Sequence, residues 1–149
     1  MEISLDYKDG LKFSGHSTWG HEITTDGSKK AGGAEEGYQP AELMLFALAG
    51  CTGIDIVNIG RKMRLDIKDV NIKIIGEQDE KPPRPFTNVH VIYTVIGRDI
   101  DPKKLERVID LGMNGYCTVA ATMKGIAKIS HEYKIIEENL IHDETSNLR

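Results

Sequence analysis

Cys51 and Cys117 are the only cysteines in the chain. Two thiols that can meet are the smallest set of groups able to reduce a peroxide and then reset. Cys51 ends the apolar run Pro40-Ala-Glu-Leu-Met-Leu-Phe-Ala-Leu-Ala-Gly-Cys51, and Cys117 stands in Tyr116-Cys-Thr-Val-Ala-Ala-Thr-Met123. The chemistry such a pair supports is thiolate attack on an O–O bond, giving a sulfenic acid with which the second thiol condenses to form a disulfide. An outside dithiol then reduces the disulfide. The geometric condition is strict: the two Cα atoms must come within about 4.4 to 6.8 Å of each other, or move there. Packing is the competing role for both residues, because free cysteines are among the most buried and least reactive side chains.

Both cysteines fall in helical contexts. Pro40 suits the first turn of a helix, where its missing N–H costs nothing, and Glu42 suits the positive end of the helix dipole. The pattern carries this helix to about Arg64. At about 100 degrees per residue, Asp55, Asn58 and Lys62 lie within about 40 degrees of Cys51, so the thiol faces the few polar groups of an apolar helix. Cys117 lies just past Gly115 at the head of a short helix, Tyr116 to Gly125. There, free backbone N–H groups are expected to lower its pKa.

The elements that must position these helices read as strands. Ile3, Leu5 and Tyr7 alternate with polar residues, Asp9-Gly10 signals a turn, and Leu11 and Phe13 resume the alternation, which predicts a hairpin. A third strand follows between Gly20 and Asp26, then a loop without periodicity from Gly27 to Gly37. After the long helix come strands over Lys68–Glu77 and Phe86–Gly97, separated by the stiff turn Lys81-Pro-Pro-Arg-Pro85. Asp101 caps a helix that has Pro102 at its first position and stops at Gly115. Ile129, His131, Tyr133 and Ile135 form a last strand, and the tail from Glu137 is polar and expected to be loose. The order β-β-β-α-β-β-α-α-β is that of an α+β fold, and the length predicts one domain over residues 1–149. A helix apolar over most of its circumference needs cover on every side, which predicts an intertwined dimer.

Several functions are disfavoured. A formal net charge of −4, without a basic cluster, argues against a nucleic-acid partner. The start Met1-Glu-Ile-Ser-Leu-Asp lacks a secretory pattern, so the expected compartment is the cytoplasm, where thiols stay reduced. The apolar stretch Leu43 to Ile59 is broken by Thr52, Asp55 and Asn58 and reads as a buried helix rather than a membrane span. His16, His21, His90, His131 and His142 show no metal-binding spacing, so no metal is expected. His131 reads as a strand residue, and His21, close to Trp19, as a pocket or structural histidine. The glycine-rich stretches match no nucleotide-binding pattern.

The runs around Cys51 and Cys117, with Phe86-Thr-Asn-Val-His-Val-Ile-Tyr-Thr-Val-Ile-Gly-Arg-Asp between them, resemble the OsmC and organic hydroperoxide resistance superfamily from Gly10 to about Ile136. Asp9-Gly-Leu-Lys-Phe, Gly20-His-Glu-Ile and Asp26-Gly further resemble its YhfA-like branch. The resemblance implies an intertwined homodimer, its long buried central helices wrapped by antiparallel sheets. It also implies hydroperoxide reduction with Cys51 as the peroxidatic and Cys117 as the resolving thiol, recycling by an external dithiol, and no metal or other cofactor. The peroxidases of the superfamily pair an N-terminal arginine with a carboxylate at the start of the central helix. Here no arginine precedes Arg61. Glu42 is the matching carboxylate, but it stands one position closer to the cysteine, about 180 degrees around an ideal helix. Arg84, Lys29 and Lys30 are the remaining candidates for the cation. The second expectation is a small-molecule binding or redox-sensing protein on the same fold.

Overall fold

The computed structural model describes residues 2–138. Its elements run β1 Ser4–Tyr7, β2 Phe13–His16, β3 Glu22–Thr25, α1 Pro40–Lys62, β4 Asp66–Gln78, β5 Phe86–Arg98, α2 Pro102–Leu111, α3 Thr118–Met123 and β6 Lys128–Glu137. A 3-10 turn spans Lys29–Ala31 and a π-helical turn spans Gly112–Tyr116. The α+β order expected from the periodicities is the observed one. The expectation for the tail beyond residue 138 lies outside the described residues. The chain divides into two compact units, with the boundary between Phe46 and Ala47.

In the first unit β1, β2 and β3 form an antiparallel sheet. Asp26 organises the loop that follows. Its carboxylate accepts N–H groups from Gly27 at 2.7 Å and from Ala34 and Glu36 at 3.1 Å. These bonds, that of Glu36 foremost, hold its pKa below the ordinary carboxylate value. A carboxyl with a depressed folded pKa contributes stability above its unfolded pKa and loses it as pH falls through the folded one. Asp26→Ala leaves three donors without an acceptor, and its urea midpoint is expected to fall below that of the parent protein at pH 7. The gap should narrow on acidification below about pH 4. Unchanged midpoints would show that the loop does not depend on this residue.

The second unit carries the sheet β4-β5-β6. β5 buries one face completely: Val89, Val91, Tyr93 and Val95 have no exposed surface. Tyr93 is paired with Ile72 on β4 and Tyr133 on β6. One part of the antiparallel expectation is corrected here, because β6 runs parallel to β5. The segment from α2 to α3 is a crossover long enough to return the chain to the same end of the sheet, as a parallel pair requires. Asp101 caps α2, accepting N–H groups from Lys103 and Lys104, and Leu105, Val108 and Ile109 turn inward.

Helix α1 is not buried as its composition suggested. Only Leu48, Thr52, Ile56 and Gly60 are buried, one residue per turn along a single narrow stripe. Gly53 and Gly60 let the backbone approach β4. A Cβ at either position would lie under 3 Å from the Cδ1 atoms of Ile72 and Ile67 respectively. Met44, Phe46 and Ile54 stay exposed on the other faces. By length and composition alone α1 would also suffice to cross a membrane.

Candidate functional site

The second unit brings the two cysteines together. Cys51 is half-buried on α1, and Cys117 is buried at the head of α3. The π-helical turn Gly112–Tyr116 delivers Cys117: its N–H closes on the Gly112 carbonyl at 2.9 Å, the wide turn that recurs at functional sites. Lys124 fastens this segment by donating to the Met113 carbonyl at 2.8 Å. Cys117 then caps α3 as a serine would, its Sγ accepting the Ala120 N–H at 3.2 Å.

The expected lowering of the Cys117 pKa is overturned. Burial, then the adjoining Cys51 thiol, push it up to about 11, outweighing the N–H groups of Ala120 and Val119. A helix start favours an anion only where the charge is also solvated, and Cys117 is 3% exposed. Cys117 therefore keeps its proton at neutral pH and can lend it to the Cys51 sulfur.

Two further groups, neither given a role in the sequence analysis, lie near the thiols. The Tyr93 hydroxyl, on the buried face of β5, stands close to Thr52, Asp55 and Cys117. Burial raises its pKa to about 12 against an opposing effect from the Thr52 hydroxyl. Thr52 itself donates to the Leu48 carbonyl at 2.9 Å. Asp55 lies one turn beyond Cys51, and burial raises its pKa. Tyr93 Oη and Asp55 Oδ2 are buried without hydrogen-bond partners among the described residues. The signals were present: Asp55 shares the face of Cys51, and a tyrosine in the middle of an apolar strand needs somewhere to place its hydroxyl.

A carboxyl whose folded pKa is raised adds stability at low pH and loses it as pH rises through that pKa, so ionised Asp55 destabilises the fold at neutral pH. Asp55→Asn is accordingly expected to raise the thermal midpoint at pH 7, with the gain shrinking as pH falls through the carboxylate range. A lower midpoint at pH 7 would contradict this.

The other candidates have structural engagements. Glu42 accepts the Gln39 N–H at 3.2 Å, the reach-back half of a capping box at the start of α1. Arg84 sits at φ 57° in the turn between β4 and β5, and its Nε donates to the Asp79 carbonyl at 3.2 Å. Lys29 pairs with Glu35 at 3.6 Å. His131 meets the Tyr93 ring edge-on, with centroids 6.4 Å apart. His21 lines an apolar cavity of about 460 Å³ in the first unit, with Ile3, Leu5 and Phe46. Among the described residues no three His, Cys, Asp or Glu side chains gather to hold a metal ion.

A thiol pair set between a long apolar helix and a mixed sheet is the arrangement of an OsmC-type α+β protein. The family model for OsmC-like protein matches residues 32–132, and the chain belongs to that family. Protein YhfA of Escherichia coli K12 is 34% identical over 136 residues, covering 91% of this chain and 98% of that protein. A hypothetical protein from Aquifex aeolicus VF5 superimposes with a TM-score of 0.76 at 30% identity, covering 91% of this chain and 97% of that one. The fold is shared with an organic hydroperoxide resistance protein OsmC from Legionella pneumophila. That match has a TM-score of 0.67 at 13% identity and covers 90% of this chain and 97% of the other.

Proposed function

We propose that this protein is a cytoplasmic thiol peroxidase that reduces organic hydroperoxides, acting as a homodimer with the whole chain as one OsmC-like domain. The observation that carries the reading is the contact between a half-buried Cys51 and a buried, protonated Cys117. The Cys51 thiolate attacks the hydroperoxide, the O–O bond breaks, and a sulfenic acid and an alcohol result. Cys117 displaces water from the sulfenic acid to close a disulfide, and an external dithiol restores both thiols. The fold it shares with a hydroperoxide resistance protein supports the same chemistry.

The dimer is supported by what one chain leaves uncovered. Met44, Phe46 and Ile54 along α1 are all more than 45% exposed, large apolar side chains of the kind that an interface covers. Sedimentation equilibrium is expected to give twice the chain mass; a monomer would refute the assembly.

The reaction is tested by titrating thiols in the reduced protein before and after one equivalent of cumene hydroperoxide. Loss of two thiols per chain, reversed by a dithiol, is expected. Unchanged thiols would favour a binding protein on the same fold.

A further inference from the structure

Lys124 takes no chemical part in the two-thiol cycle, yet it closes a ring of hydrogen bonds around Cys117. The Cys117 N–H reaches back to the Gly112 carbonyl at 2.9 Å, and its Sγ accepts the Ala120 N–H at 3.2 Å. The Ala120 carbonyl accepts the Lys124 N–H at 3.0 Å. The Lys124 side chain then turns back, its Nζ donating to the Met113 carbonyl at 2.8 Å and to Asn114 Oδ1. Asn114 in turn donates to Asp110 in the last turn of α2. Residues 113 and 124 bracket Cys117, so one ammonium ties the chain entering the cysteine to the chain leaving it. A cation suits this place. α2 continues into the π-helical turn that ends at Tyr116, and the last four carbonyls of a helix have no N–H of their own helix to receive. Met113 supplies one of those four, and the ammonium also meets the negative end of the helix dipole. The six residues of α3 are too few to hold themselves helical in water, so the position of Cys117 depends on ties of this kind.

We propose that Lys124 is a positioning residue for disulfide closure, its ammonium holding the segment 112–124 folded so that the Cys117 sulfur is aimed at the Cys51 sulfenic acid. This rests on the peroxidase reading above. In the closing step the Cys117 sulfur attacks the Cys51 sulfur and the S–S bond forms. The S–O bond breaks, and the departing hydroxyl takes the S–O pair and the Cys117 proton to leave as water. Formally the Cys51 sulfur is reduced by one electron and the Cys117 sulfur oxidised by one, so no further oxidant enters. Attack requires the incoming sulfur in line with the S–O bond, a demand of direction as well as distance. Lending a proton to Cys51 in the first step tolerates more motion. Lys124 therefore acts on closure more than on peroxide attack. A sulfenic acid left waiting meets a second peroxide and passes to the sulfinic acid, so the same clasp protects Cys51 from irreversible oxidation.

The test separates the two steps in the full-length wild type, Lys124→Met and Lys124→Arg at neutral pH. Lys124 is exposed, so neither replacement opens a hole in the core. Methionine keeps a long apolar stem without a donor; arginine keeps a cation with N–H groups. The rate at which one equivalent of cumene hydroperoxide is consumed reports the first step. The ratio of disulfide to dimedone adduct at a fixed dimedone concentration, read by mass spectrometry, reports closure whichever step is slower. In Lys124→Met that ratio is expected to fall about tenfold while peroxide consumption changes by less than about threefold. Under excess peroxide a larger share of its Cys51 should end as sulfinic acid than in the wild type. Lys124→Arg is expected to stay within about threefold of the wild type in both readouts. An unchanged ratio in Lys124→Met, equal slowing of both steps, or an arginine variant as impaired as the methionine one would overturn the role of Lys124 while leaving the peroxidase reading standing. A wild type that consumes no hydroperoxide would end both.

Discussion

Cys51→Ser is expected to abolish thiol consumption by organic hydroperoxide, lowering the rate on the order of 10³-fold or more, because the replacement hydroxyl is no nucleophile at neutral pH. Cys117 cannot take over. Burial, the largest cause of its raised pKa, remains in the variant, so its thiol stays protonated at pH 7, and it is 3% exposed. The remaining thiol should therefore titrate as one free thiol per chain, stable to one equivalent of cumene hydroperoxide. Rapid loss of that thiol would mean that the roles of the two cysteines are reversed.

The Cys117 variants separate two duties that one residue combines. Cys117→Ser keeps a hydroxyl that can donate to the Cys51 sulfur but removes the second sulfur. Sulfenic acid formation should proceed within a few-fold of the wild-type rate and then stop, leaving a species that dimedone traps and that excess peroxide drives irreversibly to the sulfinic acid. Cys117→Ala also removes the donor. A hydrogen bond to a charged group contributes about 1.5 to 3 kcal/mol, so its first step should be about 10- to 100-fold slower than that of Cys117→Ser. Equal first-step rates in the two variants would show that the Cys117 proton does not support the attacking sulfur.

Much of this was legible in the residues. Alternation in β4, β5 and β6, the Asp101-Pro102 start of α2 and the Pro40 start of α1 are local signals, and the structure follows them to within a few residues. What depends on three-dimensional surroundings was not legible. The Cys117 sulfur does accept an N–H at a helix start, as its position suggested, but burial reverses the effect on its pKa. The parallel pairing of β6 is a property of the whole crossover, not of the strand's own alternation. Glu42, which suits the start of α1 and which the family resemblance also offers as a carboxylate for the thiol, caps the helix that carries that thiol. Asp55 was visible on the face of Cys51, but only the approach of Gly112 and the nearness of Tyr93 show why its Oδ2 atom is buried. The apolar circumference of α1 predicted a need for cover, and one chain supplies that cover along a single stripe.

Peptide mapping by mass spectrometry of the unreduced protein, after one equivalent of cumene hydroperoxide, reaches the proposed redox cycle most directly. A single disulfide joining the peptides that contain Cys51 and Cys117 of the same chain, absent before oxidation and removed by a dithiol, is the expected result. Peptides carrying both thiols free, or a bridge joining Cys51 of one chain to Cys51 of another, would contradict it.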